Sequence, residues 1–263
     1  MTKQQLFDTM RGTVIVSCQA VPGEPLYDPQ RSVMYLMARA AKQAGAKVIR
    51  TSSARDIREI KAETGLPVIG LIKREYPGYG GYITITLREV RECVEAGADI
   101  VAVDCTNMPR GDGLTPAAYV RQIRAAYPQL VLMADCATLE EAVAAHAAGA
   151  DLVGTTMNGY TPQTAVHGEG PNAALVEALV KTLPCPVLAE GRIHTPQQAR
   201  QMLEPWWWGE PLRGRWRLLS DSWTRYGTCE RRDGYAAVYG SGWNGGKAGA
   251  GGCPGAYPSA DGS

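Results

Sequence analysis

The sequence predicts a (β/α)8 barrel, an α/β fold of parallel strands, and three observations predict it. Helical runs end at Gly45, Gly97 and Gly149, and a strand-like apolar run follows each at once: "AKQAGAKVIR", "CVEAGADIVAVD" and "HAAGADLVGTT". The junctions recur at a spacing of 52 residues, so each strand-and-helix unit averages half that length. Further apolar runs lie between them, and strictly alternating strands and helices require a parallel sheet with both faces covered. Eight such units close a barrel of the usual size. A doubly wound open sheet is the alternative, but no G-x-G-x-x-G follows the first strand.

In chain order, "TVIVSCQA" near Thr13 is the first strand, "SVMYLMARAAKQ" a helix, and "VIR" after Gly45 the second strand. "LPVIGLIK" near Leu66 is the third strand, "TLREVRECVEA" the next helix, and "DIVAVD" after Gly97 the fourth strand. "LVLMADCA" near Leu130, "DLVGTT" after Gly149 and "CPVLAEGRI" near Cys185 supply strands five to seven, with "TLEEAVAAHAA" as the helix between the fifth and sixth. Glycine suits the left-handed cap that ends a helix, and the apolar run after it is too short for anything but a buried strand.

Composition narrows the classes. A chain of 263 residues with 45% hydrophobic content can bury a large core. A formal net charge of +1 with acids and bases interspersed gives no basic face for a phosphate backbone, so nucleic acid is not an expected partner. No apolar run is long enough to span a membrane, and "MTKQQLFDTMRG" lacks the regions of a signal peptide, so the expectation is a cytoplasmic protein. The seven cysteines show no CxxC and sit mostly in strand-like runs as small hydrophobes. His146, His167 and His194 have no metal-ligand spacing.

The register breaks near its end. A fourth helix–glycine–strand junction is due close to Gln201, yet the chain reads "EPWWWGEPLRGRW". All six tryptophans and 13 of the 30 glycines follow Pro205, isoleucine vanishes and Val238 is the last valine. Tryptophan has a single codon, so the DNA under Trp206–Trp208 is fixed. Read from the third base of codon 204, that DNA can encode A-V-V-V-G-G-A-I-T-R-P and then an amphipathic helix. The expectation is therefore a frameshift: residues 1–204 carry seven barrel strands, and 205–263 form an aberrant, disordered tail. A missing eighth strand would leave two parallel edges unpaired, an aggregation hazard. An aromatic binding platform is the other reading of the tryptophans, but the Gly-rich run after them cannot repay its ordering entropy.

The strings "GTVIVSCQAVPGEPLY", "GLIKREY", "YITITLREV", "VAVDCT", "LMADCATLEEA", "GTTMNGYT" and "VLAEGRIHTP" resemble, in this order, the N-acetylmannosamine-6-phosphate 2-epimerases of bacterial sialic acid catabolism, over roughly residues 10–204. The resemblance implies a phosphate-binding TIM barrel that acts on a small phosphosugar without metal or redox cofactor. It implies conversion of N-acetylmannosamine 6-phosphate to N-acetylglucosamine 6-phosphate by proton removal and return at C2. A homodimer is a candidate assembly.

Lys73 ends the third predicted strand and Glu190 the seventh, at the C-terminal rim where barrel active sites form. Those strands face each other across the axis, and an epimerase needs proton carriers on opposite faces of one carbon. Carried onto matching positions, the resemblance implies Lys73 and Glu190 as the proton-transfer pair, with Gln19, Arg50 and Asp135 contacting substrate. Gly191 and Arg192 belong to a loop whose amides, before a helix starting near Thr195, can meet a phosphate. Partial burial and the cations Arg50 and Arg74 are expected to lower the Lys73 pKa from its usual ~10.4. Plainer readings stand beside these: a solvated rim lysine, a Glu190–Arg192 pair, and Asp104 or Asp135 capping a helix. The phosphate half that a glycine pair and arginine after strand eight would supply is missing from this reading frame. The alternatives to an impaired epimerase are a catalytically dead barrel with residual phosphosugar binding and, more distantly, a Schiff-base aldolase using the strand-end lysine.

Overall fold

A short helix, α1 (Lys3–Met10), precedes the alternation and is capped by Thr2 and Gln5 acting reciprocally. The computed structural model describes residues 1–165 and 170–203, together with the backbone of 217–222. Strand and helix then alternate as β1 (Val14–Ser17), α2 (Met34–Gln43), β2 (Ile49–Ser52), α3 (Ala54–Thr64), β3 (Val68–Leu71), α4 (Leu87–Glu95), β4 (Ile100–Asp104) and α5 (Pro116–Ala126). They continue as β5 (Val131–Asp135), α6 (Leu139–Ala148), β6 (Leu152–Gly154), α7 (Ala173–Thr182), β7 (Val187–Glu190), α8 (Pro196–Leu203) and β8 (Arg217–Ser222). Around the sheet the order is β1 to β8, closed on itself. All seven strands read from the sequence are present, each in its expected place.

The junction glycines do what their spacing implies. Gly45, Gly97 and Gly149 have φ of +104°, +88° and +117°, the left-handed region that ends a helix in one residue. Gly149 is the C-cap of α6, and a Cβ there would meet Arg124 only at ordinary contact distance, so the backbone alone penalises substitution. Gly149→Ala is expected to lower stability by about 1–2 kcal/mol, the cost of a left-handed alanine, and denaturant titration measures it.

Closure of the barrel corrects the expectation that a missing eighth strand would leave two edges unpaired. Where the fourth helix–glycine–strand junction was due, near Gln201, the chain is still helical in α8. β8 is drawn instead from Arg217–Ser222, pairing parallel with β7 (Glu190↔Ser220) and with β1 (Ser17↔Ser222). A strand ladder is built from backbone N–H and C=O groups, so an extended run need not carry the expected side chains to complete it. The edges of β1 and β7 are therefore paired. The rest of the segment assigned to the tail, with its tryptophans, Cys229 and Cys253, lies outside the described residues, as does His167.

Strand side chains alternate between two apolar clusters. Val16, Ile49, Val101, Val103, Ala134, Val153 and Ala189 pack outward against residues of α2 to α8. Ile15, Val48, Ile69, Leu71, Ala102, Met133 and Leu188 form the barrel interior, whose cluster takes from the helices only Leu6, Phe7 and Met10 of α1. The parity then dictates what lines the C-terminal mouth. Arg50, Asp104, Asp135 and Glu190 each follow an outward residue, so each turns inward one layer above this interior cluster. The five described cysteines are free and buried, Cys93 on the inner face of α4 and the others in or beside the strand runs.

Candidate active site

At the centre of the mouth lies the Arg50 guanidinium, on a side chain only 1% exposed. It crosses from β2 to β5 and grips Asp135 with two bonds, Nη1 to Oδ1 at 3.3 Å and Nη2 to Oδ2 at 2.7 Å. Its Nε lies 3.1 Å from Glu190 Oε1 on β7, close enough for an ion pair though not aligned as a hydrogen bond. Burial opposes the Arg50 charge, but Asp135 and Glu190 outweigh it and hold the group protonated. One buried cation thus ties three walls together.

Glu190 answers to competing forces. Burial raises its pKa most, Arg50 lowers it, Asp135 raises it again, and the net effect pushes it up to about 7. The Thr156 hydroxyl lies 3.2 Å from Glu190 Oε2 and donates to Asp135 Oδ1 at 2.7 Å. Since the folded-state pKa lies above the usual ~4.3 of a free glutamate, this group favours folding below the unfolded value and loses that contribution as pH rises through about 7. Glu190→Gln, which fixes the neutral form, is expected to melt higher than the parent at pH 8 and equally at pH 4; thermal melts at the two pH values test it.

Lys73 sits two residues beyond β3, not at its end: β3 closes at Leu71, and Lys73 pairs antiparallel with Ile83 in a hairpin. The strand alternation points its side chain inward. Burial lowers its pKa first and Arg50 second, while Glu24, Glu190 and Asp135 pull the other way, leaving it below the usual lysine value. Among the described residues its ammonium has no ion-pair partner. Arg74, expected to help, turns outward to Glu89 and Glu92, and Arg50 is the cation that lowers the Lys73 pKa.

Gln19 is buried beyond β1, donating through Nε2 to Ser17 Oγ, while its Oε1 has no partner among the described residues. Such an orphan acceptor at a barrel mouth is where a ligand hydroxyl or amide fits. In the loop after β7, Gly191 has φ +95° and Arg192 φ +60°, and Arg192 Nη2 donates to Asn158 Oδ1 at 3.1 Å. Glu190 therefore turns to Arg50. Further along this loop, the amides of His194 and Thr195 donate to Gln198 Oε1 at 2.6 and 3.1 Å. Neither aspartate caps a helix: Thr138 caps α6, and Asp104 Oδ1 accepts from the Thr106 amide and hydroxyl in a local turn.

Sequence reasoning left out three groups that the fold brings here. Asp104 pairs in register with Asp135, is buried with Oδ2 unpartnered among the described residues, and burial pushes its pKa up to about 6. The Tyr82 phenol is raised by burial, then by Asp104 and other anions of the mouth. Thr156 bridges Asp135 and Glu190. The one available signal was positional: Asp104 and Asp135 hold equivalent places in successive strands. Strain also gathers here. Among the described residues, the non-glycine positions with positive φ are Ser53, Thr84 and Arg192, two flanking the exit of β3 and one following β7.

A closed parallel barrel whose inward cluster of cation, amine and carboxylates sits at the C-terminal mouth has the architecture of a (β/α)8 enzyme. Residues 34–208 match the family model described as "Putative N-acetylmannosamine-6-phosphate epimerase". A relative from Caldanaerobacter subterraneus subsp. tengcongensis, described as "Putative N-acetylmannosamine-6-phosphate 2-epimerase", is 44% identical over 202 residues, 77% of this chain and 84% of its own. One from Enterobacter sp. (strain 638), described in the same words, is 46% identical over 75% of this chain and 84% of its own. The solved N-acetylmannosamine-6-phosphate 2-epimerase of Clostridium perfringens superposes with a TM-score of 0.71 at 39% identity, covering 82% of this chain and 89% of that one. The chain belongs to the N-acetylmannosamine-6-phosphate epimerase family. Among the described residues no helix is long and apolar enough to cross a membrane.

Proposed function

We propose that this mouth interconverts N-acetylmannosamine 6-phosphate and N-acetylglucosamine 6-phosphate by moving a proton at C2 of the open-chain sugar. The observation that carries the reading is the placement of Lys73 and Glu190 beyond β3 and at the end of β7, strands that stand opposite in the eight-membered ring. The C1 aldehyde acidifies the C2 proton. One group takes it, leaving an enolate whose charge rests on the C1 oxygen, and the other delivers a proton to the opposite face. The two exchange roles in the reverse direction. Their perturbed pKa values suit that task, an amine held below its usual range facing a carboxyl held above its own. Arg50, Asp135 and Gln19 orient the sugar, and Gly191 and Arg192 lie where its phosphate end reaches the rim.

Turnover by this chain is proposed to be low, because the glycine pair and arginine of the shifted reading are absent after β7. A chain with the frame restored after codon 204 is expected to turn over faster, and sequencing the DNA there tests the frameshift itself. Incubation of either sugar phosphate in heavy water is the direct test. Deuterium at C2 supports the epimerase, whereas its complete absence favours a dead barrel. Trapping by borohydride would favour a Schiff-base enzyme.

A further inference from the structure

The hydroxyl of Thr156 has one proton and two carboxylates within reach. It lies 2.7 Å from Asp135 Oδ1 and 3.2 Å from Glu190 Oε2. Asp135 is the better acceptor, since its contact is shorter. It is also the carboxylate clamped by two bonds to the Arg50 guanidinium. A hydroxyl that has given its only hydrogen away presents lone pairs to its other neighbour. Two acceptors cannot bond to each other, so the contact with Oε2 is satisfied when Glu190 supplies the hydrogen. The backbone around it is fixed: the Thr155 hydroxyl donates to the Glu190 carbonyl at 2.8 Å, and the Glu190 amide donates back to the Thr155 hydroxyl at 3.0 Å. Consecutive threonines of β6's exit thus hold Glu190 at both backbone and side chain.

We propose that Thr156 is a positioning residue that keeps Glu190 in its protonated form in the resting site, through a directed chain from Glu190 Oε2–H to Thr156 Oγ1 and from Thr156 to Asp135. The inference rests on the epimerase reading for its functional meaning and adds an assignment that reading leaves open. Glu190 is the proton-bearing partner at rest and Lys73 the one that must be neutral to begin a turnover. The charged groups acting on Glu190 are Arg50, Asp135 and Lys73, and all three remain in the variants used to test it.

Infrared spectroscopy at pH 6 tests the protonation without any turnover. Parent minus Glu190→Gln is expected to contain the carbonyl stretch of a protonated carboxylic acid; the subtraction cancels the contribution of Asp104, which titrates near the same pH. Absence of that band would overturn the proposal whatever the variants do. Thr156→Val removes the acceptor at nearly constant volume, and the band's pH midpoint is expected to fall by about three- to tenfold in proton affinity, the worth of one hydrogen bond. The sign is diagnostic, because loss of a hydroxyl that donated to Oε2, which would favour the carboxylate, or a valine that merely excluded water, would raise the midpoint and overturn the proposal. Thr156→Ser is expected to restore the parent midpoint. In deuterium-exchange assays Thr156→Val should lower kcat with KM within about threefold, as expected for an interaction that does not contact bound sugar. An unchanged midpoint in Thr156→Val would sink the role of Thr156 alone. Failure of the parent to exchange deuterium at C2 would sink the epimerase reading and leave the infrared result standing.

Discussion

Arg50→Met is expected to destabilise the protein by about 3–5 kcal/mol, the usual cost of removing one partner of a buried ion pair. Methionine matches the arginine stem in length, so the packing loss is confined to the space of the guanidinium head. The loss arises because Asp135 and Glu190 would remain buried near one another without the guanidinium on which both now lean. Two further outcomes follow. The deficit should shrink as pH falls and the carboxylates take up protons. It should also be recovered in large part by the triple variant Arg50→Met, Asp135→Asn, Glu190→Gln, in which the three members of the cluster are all neutral. Chemical denaturation at pH 5 and pH 8 measures both. A loss below about 1 kcal/mol, the range of exposed pairs, would show that water reaches the cluster.

The second large effect is on chemistry alone. Lys73→Met is expected to lower kcat/KM by about 10²–10⁴-fold, the contribution of one positioned acid–base group, with melting temperature unchanged or slightly raised. The lack of a stability cost follows from its surroundings: among the described residues the ammonium makes no ion pair, and burial already disfavours its charge. Two walls also give a signature that one wall cannot. Lys73→Met should abolish wash-in of deuterium from one C2 epimer and spare it from the other, and Glu190→Gln should show the opposite preference. Symmetric loss from both epimers in both variants would mean that a single group serves both faces.

Local pattern carried much of the fold. The three glycines spaced along the chain mark helix ends because a left-handed residue is needed there, a requirement that acts within a few residues and is therefore written in sequence. The inward turn of Arg50, Asp135 and Glu190 follows from strand parity, which is equally local. What stayed hidden depends on distance. Arg50 and Asp135 meet across 85 positions of chain, and Thr156 joins Asp135 to Glu190 from a third strand's exit. No spacing rule announces such bridges. Lys73 was placed at a strand end because the apolar run continues through Ile72; the hairpin that carries it forms only because Tyr82, Ile83 and Thr84 return alongside, with the Asp104 amide donating to the Ile83 carbonyl at 2.8 Å. β8 was illegible for another reason: nothing in "RWRLLSDS" marks it as the partner of β1 and β7, because that partnership is made by main-chain groups.

That last seam has a practical corollary. A slot between two parallel strands accepts whatever extended peptide can offer amides and carbonyls at the right rise, so the cylinder's integrity and its competence toward sugar phosphate are underwritten by different stretches of the gene. Yield, solubility and a sharp melting curve therefore report that the cylinder is sealed, and a chain passing all three still has to be assayed before it is counted as an enzyme.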